Sequence, residues 1–225
     1  MDIIRIWESI SPIGVILAII PPIIWLSLFI FFGDRQKPEP KYITIRVFVA
    51  GALGAIIFVI IGLYIRPIMA QFADLHSPFL IFIFAALEEA VKFASVYLAV
   101  RWSKFLDEPV DRMIYMVTGA MGFAAIENIL INSTTNDPVQ EMAIRMFGAV
   151  LIHALVSSMV GFYWAQRLTG NGLLAAGALH GLFNIIVMPG SPIHGLWFTF
   201  IIGLFIIADF DIIKNKWKTN TIFRK

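Results

Sequence analysis

The sequence predicts an all-α protein, a polytopic bundle of about seven transmembrane helices, and three observations carry that prediction. Hydrophobic residues make up 59% of the 225 and charged residues only 14%, against about 45–50% and roughly 25% in soluble domains. A chain of this length has too much surface for its volume to bury the excess inside itself. The apolar residues also fall in continuous runs of about 20, the length that crosses ~30 Å of hydrocarbon with every backbone group paired. Such runs lack the alternation of the ~10-residue strands of a membrane barrel. The 20 Phe and 6 Trp exclude a disordered chain. A net charge of +2 without a basic stripe excludes a nucleic-acid partner. With no Cys, disulfides, Cys-ligated zinc and Cys nucleophiles are excluded too.

The expected spans run from Ile10 to Phe32, Val47 to Ile65, Ser77 to Val100, Asp111 to Ile131, Ile144 to Gln166, Gly172 to Met188 and Ile193 to Ile213. The first is read as a retained helix, because Asp2 and Glu8 spoil the basic start of a signal peptide and no small-residue cleavage site follows. Pro21 and Pro22 should kink it. A polar loop from Gly33 to Lys41 follows and is too short for a second domain, so residues 1–225 are expected to form one integral-membrane domain. The last two spans are separated only by Pro189-Gly190-Ser191-Pro192. Gly119, Gly122, Gly148 and Gly161 read as places where helices approach closely, and Ser157 and Ser158 as small packing residues.

Lys and Arg gather in alternate loops. Arg35, Lys37, Lys41, Arg46, Arg101, Lys104, Arg112, Arg167 and the tail lysines lie on one side, against Arg5, Arg66 and Arg145 on the other. Cytoplasmic loops hold the excess, so the amino terminus is expected outside and the carboxyl terminus in the cytoplasm. Asp209 and Asp211 read as interfacial ions within reach of Lys214. His76 and His194 fall at span ends and receive no role.

Inside the spans a few polar groups remain, and each calls for a partner because a lone charge in hydrocarbon is unfavourable by several kcal/mol. They are Glu88, Glu89 and Lys92 in the third span, Glu127 and Asn128 in the fourth, His153 in the fifth, and His180 and Asn184 in the sixth. Glu88 and Lys92 are one helical turn apart, as are His180 and Asn184, so each helix offers a polar stripe to the interior. Counted from the outer end of each span at 1.5 Å per residue, Glu88 lies at about 16 Å, the two histidines at about 12 Å, and Glu127 and Asn184 at about 6 Å. Helices of opposite direction therefore deliver these groups to the outer half of the bilayer. Two carboxylates, two imidazoles and a carboxamide in such a place suit amide hydrolysis by activated water. The serines sit in no Gly-x-Ser-Gly element, and neither an intramembrane Asp pair nor a His-Glu-x-x-His helix is present. The rival is an ion- or proton-coupled transporter using the same Glu, His and Lys residues.

Glu88-Glu89-x-x-Lys92, Phe123-x-x-x-Glu127-Asn128, His153 and His180-x-x-x-Asn184 together resemble the motif series of the PrsW family of bacterial and archaeal intramembrane proteases. The first loop, Asp34-Arg35-x-Lys37-Pro38-Glu39-Pro40, resembles that family's Asp-Arg-x-x-Pro-Glu-Pro turn. The pattern is more distantly similar to CAAX prenyl proteases and bacteriocin-processing enzymes, whose second motif usually ends in His where this chain has Glu127. The resemblance implies a peptidase of a bacterial or archaeal cell membrane acting on a membrane-anchored protein or peptide, such as an anti-sigma factor, near the outer side. It implies Glu88 as the base, Glu89 and Lys92 as modulators of its charge, His180 and Asn184 as oxyanion donors, and Glu127 and His153 as the groups that hold the water. It leaves two alternatives open for the cofactor: none, or a divalent, zinc-like ion on Glu127, His153 and His180.

Overall fold

A computed structural model describes residues 10–33, 39–188 and 194–203. Its elements are α1 (Pro12–Gly33), α2 (Lys41–Met69), α3 (Pro78–Val100), α4 (Pro109–Asn132), α5 (Pro138–Phe147), α6 (Ala149–Ala165), α7 (Thr169–Val187) and α8 (His194–Gly203). The described residues contain no strand. Five segments are long and apolar enough to cross a membrane: α1, α2, α4, α5 with α6 taken together, and α7. At 23 residues α3 is long enough as well, but it carries Glu88, Glu89 and Lys92. Of the expected last span only His194–Gly203 is described; Asp209, Asp211 and the basic tail lie outside the described residues, as do Asp34, Arg35 and Lys37 of the first loop.

Burial identifies the centre of the bundle. In α4, 72% of the apolar window is buried, against 22% in α1 and in α2, so α4 is the hub and the first two helices turn Ile13, Ile16, Leu53, Ile57 and Tyr64 outward. That distribution suits lipid on the outside. Close approach to the hub depends on absent side chains. A Cβ at Gly51 would stand 1.8 Å from the Gly119 carbonyl oxygen, and one at Gly122 would stand 1.9 Å from that of Phe48. Those contacts lock α2 to α4 by backbone surfaces, as small residues do where lipid supplies no hydrophobic drive between helices. Gly177 does the same for α7 against Ala86 of α3.

Local chemistry sets the helix ends. Pro109 occupies the first turn of α4, where its missing N–H is no loss, and Glu108 and Asp111 cap each other's backbone N–H groups. Asp137 caps α5 by accepting from the Gln140 N–H at 3.0 Å. Near the start of α2, Glu39 accepts a hydrogen bond from the buried Tyr115 hydroxyl, which ties the end of the first loop to the hub.

One expectation needs correction. The fifth span is not one helix from Ile144 to Gln166. It breaks at Gly148 (φ −100°, ψ −101°) into a short α5 and the longer α6. The apolar run continues across the break, so hydropathy could not reveal it. Gly148 is accordingly a joint, whereas Gly119, Gly122 and Gly161 are the close-approach positions expected of them.

α1 runs as one helix through Pro21 and Pro22. Pro22 has no N–H to give the Ala18 carbonyl four residues earlier, and the buried Asn128 of α4 donates to that oxygen instead, at 3.0 Å. Asn132, one turn on, donates to the Gly14 carbonyl at 2.8 Å. A polar side chain buried in a membrane helix is thereby explained by a donor missing from its neighbour.

Candidate active site

Four helices meet at one polar centre. α3 supplies Glu88, Glu89 and Lys92, α6 supplies His153 and Ser157, α7 supplies His180, and α4 supplies Glu127. All but Glu127 are buried. Lys92 is the hub of charge. Its ammonium lies 2.9 Å from Glu88 Oε1, 2.7 Å from Glu89 Oε1 and 2.6 Å from His153 Nδ1. Two of these contacts, with Glu89 and His153, are hydrogen bonds. The contact with Glu88 is an ion pair without a directed hydrogen bond, since Glu88 Oε1 is otherwise unsatisfied.

The remaining contacts fix the ring states. Because His153 Nδ1 accepts from Lys92, the proton of the neutral imidazole sits on Nε2, which donates to Glu127 Oε2 at 2.8 Å. His180 Nδ1 donates to Glu89 Oε1 at 2.9 Å, and Ser157 Oγ donates to Glu89 Oε2 at 3.2 Å. Both oxygens of Glu89 are therefore engaged and its side chain is fully buried, whereas the Glu88 side chain keeps 11% of its surface exposed. Ser157, expected to be a packing residue, is a ligand of the site; its place one turn after His153 is the signal that could have found it. Phe123 also does more than fill space, since the Lys92 ammonium lies 4.8 Å from its ring centroid, on the favourable face for a cation.

Toward the expected outer side a cavity of about 320 Å³ adjoins these groups, lined in part by Glu127, His153, His180 and Asn184. Asn184 thus stands beside His180 as its spacing predicts. Asn128 does not: it is fully buried, with its carboxamide divided between Ala18 and Arg145. The sequence missed Arg145, counted there only as a loop charge. Its Nε donates to Asn128 Oδ1 at 2.7 Å and its Nη2 lies 3.3 Å from Glu127 Oε1. No motif spacing could have shown this, because the pairing joins α5 to α4 across a turn. His76 pairs with Asp74 in an exposed loop, where the His76 N–H holds the Asp74 carboxyl below its usual range. Exposed His194 stands at the start of α8.

A helical membrane bundle that buries paired carboxylates, two imidazoles and a lysine beside a cavity has the groups that a membrane-embedded hydrolase needs. Residues 39–209 match the family described as "PrsW family intramembrane metalloprotease". The chain belongs to the PrsW family and is, by family, an intramembrane protease. It is similar to the Protease PrsW of Geobacillus kaustophilus, at 34% identity over 65% of this chain and 63% of the relative's length. It is also similar to those of Oceanobacillus iheyensis, at 27% identity over 87% of this chain and 93% of the relative, and of Bacillus subtilis, at 25% over 77% and 83%. No solved structure matches the chain.

The family's description names a metal, and the donor set bears on it. Glu88, Glu89, His153 and His180 bring ligand atoms within 4.8 Å of one another, a group that takes in Glu88 and Glu89 in place of Glu127. Lys92 Nζ already stands in bonding distance of three of the four, and the second nitrogen of His153 is taken by Glu127. An added divalent ion would face that ammonium and a protonated Nε2. In this arrangement the residues do not fit a metal, and no step below runs through one.

Proposed function

We propose that this protein hydrolyses a peptide bond of a membrane-anchored protein or peptide, near the outer side of the bilayer, with water activated by Glu88. The observation that carries the choice is the unequal engagement of the two neighbouring glutamates: Glu89 has both oxygens bonded and no exposure, while Glu88 has an oxygen without a hydrogen bond and a side chain that is 11% exposed. Glu88 takes a proton from water as the resulting hydroxide attacks the scissile carbonyl carbon. The tetrahedral oxyanion is met by the Asn184 carboxamide and by Nε2–H of a doubly protonated His180, whose Nδ1–H is held by Glu89. A neutral His180 with its proton on Nδ1 would present Nε2 as an acceptor, so the donor role requires the second proton. Glu88 then passes its proton to the departing amine, and the acid and amine fragments separate. Glu127 and His153, which line the cavity beside His180, hold the water on the open side. Lys92 sets an ammonium 2.9 Å from Glu88 and 2.7 Å from Glu89, where an unpartnered carboxylate would be strongly disfavoured.

Placement supports an outer cut. His153 lies early in α6, and Glu127, His180 and Asn184 lie late in α4 and α7, at the ends opposite Arg101, Lys104, Arg112 and Arg167. With those basic turns in the cytoplasm, the amino terminus lies outside, the carboxyl terminus inside, and the cavity opens outward. An anti-sigma-factor-like single-span protein is the substrate class we propose, and the whole chain is one protease domain. No relative points to ion transport.

The test is purified protein mixed with a single-span substrate, with wild type beside Glu88→Ala and His180→Ala. A new fragment that both substitutions abolish supports the reading. Cleavage that persists in Glu88→Ala would remove Glu88 from the mechanism.

A further inference from the structure

We propose that Arg145 is a positioning residue that holds the Glu127 carboxylate, and through it the His153 ring, in working orientation. Only the kinetic part of this inference rests on the peptidase reading above. Glu127 has the most exposed carboxylate of the site, at 34% of its side chain, and it borders a cavity into which it has room to turn. One of its oxygens accepts from His153 Nε2, and the other faces Arg145 Nη2 at 3.3 Å in an ion pair without a directed hydrogen bond. The Arg145 side chain is 11% exposed and is itself fixed at Nε by Asn128, whose other end is bonded to the Ala18 carbonyl that Pro22 leaves free. A continuous polar chain results, from the α1 backbone through Asn128, Arg145, Glu127 and His153 to Lys92.

Arg145 is not what keeps α5 in place. The Trp25 indole N–H donates to the Met146 carbonyl at 2.7 Å and the Thr199 hydroxyl to the Phe147 carbonyl at 2.8 Å, so α5 is pinned to α1 and α8 independently. What Arg145 adds is direction. The guanidinium, anchored at Nε by Asn128, sets a fixed positive charge against Glu127 Oε1, and a lysine would supply that charge without the anchor. Without it Glu127 can swing into the cavity, the Nε2–H of His153 loses its acceptor, and the tautomer that lets Nδ1 accept from Lys92 is no longer enforced.

The experiment compares Arg145→Ala, Arg145→Gln and Arg145→Lys in the full-length purified protein. The first readout is the Nε2–H nuclear magnetic resonance signal of His153 in histidine-labelled protein, assigned by its loss in His153→Gln. We expect it shifted or lost in the Ala and Gln variants and returned toward wild type in the Lys variant, with helical content unchanged. On a single-span substrate, kcat should fall on the order of 100-fold in the Ala variant with KM within about threefold, as misplacing a catalytic group does. The Lys variant should regain about tenfold of that loss. A His153 signal in Arg145→Ala identical to wild type overturns the positioning role, whatever the kinetics. If wild type cuts no substrate, the peptidase reading fails while the His153 spectra still decide for Arg145. If the Ala variant does not fold, the Gln variant, which can still reach Asn128, decides alone.

Discussion

The polar chain has a dry end and a wet end, and they are built on different principles. At the dry end Lys92, Glu89, His180 and Ser157 are fully or almost fully buried, and each charge has an opposite charge in contact. At the wet end Glu127 is one-third exposed beside a cavity and is held by an arginine that is itself held by an amide. Desolvation enforces order at the first, since a buried ion that leaves its partner has no water to turn to. At the second, water is available, and order must come from the hydrogen bonds of Asn128 to Arg145 and of His153 to Glu127, with the Arg145–Glu127 ion pair between them. Stability should therefore be concentrated at the dry end and adjustable geometry at the wet end.

The largest expected effect is at Lys92. Lys92→Met leaves Glu88 and Glu89 facing each other without a cation and should lower stability by about 3–5 kcal/mol, the usual consequence of breaking a buried pair. Unfolding in mixed detergent micelles measures it, and a variant as stable as wild type would undo the contrast between the two ends. Next comes the pair of glutamates. Glu88→Gln is expected to keep near wild-type stability while losing about 10²–10⁴-fold in turnover, the span of a general base. Glu89→Gln should lose stability as well, because its carboxylate serves Lys92, His180 and Ser157 together. Equal behaviour of the two would mean that exposure does not distinguish them.

Chelation gives a third test. With the Lys92 ammonium among the donors, activity should persist in a strong chelator; loss restored by one divalent ion would show that the centre rearranges around a metal. The smallest effect is expected at Asn128. Asn128→Ala leaves the Ala18 carbonyl unpaired and should destabilise by about 1–3 kcal/mol. Adding Pro22→Ala returns an N–H to that carbonyl, so the double variant should be less destabilised than the sum of the singles. Simple additivity would show that the two residues do not share that oxygen.

Apart from Ser157, the residues of the dry end were legible in the sequence, because a charge in the middle of an apolar run is conspicuous and helical spacing places Glu88 with Lys92 and His180 with Asn184. The family resemblance then rested on those same positions and agrees with the match over residues 39–209. The wet end was far less legible. Arg145 sits close to a polar turn, where a charge is ordinary, and it becomes part of the site only because Gly148 breaks the span and α5 folds its side chain toward α4. Asn128 stood out as a polar group inside a span, but its contact with a carbonyl 110 positions earlier depends on which helices become neighbours. The helix ends were predictable to within a few residues for α1, α3 and α4, where Pro, Glu and Asp punctuate the chain. α2 extends well beyond its apolar core, to Lys41 and Met69, because helix propensity and not hydropathy decides where a helix stops.

The proline-freed carbonyl of Ala18 also has a consequence for biosynthesis. Chains enter the bilayer from the amino end, so α1 meets lipid before α4 has been made. During that interval an acceptor without an intrahelical donor is left in hydrocarbon, an unfavourable state by several kcal/mol. Arrival of Asn128 relieves it. The first helix is therefore a weaker lodger in lipid alone than its apolar composition suggests, and a stronger one once the hub is in place. Assembly is favoured in one register, with the carboxamide level with the missing donor.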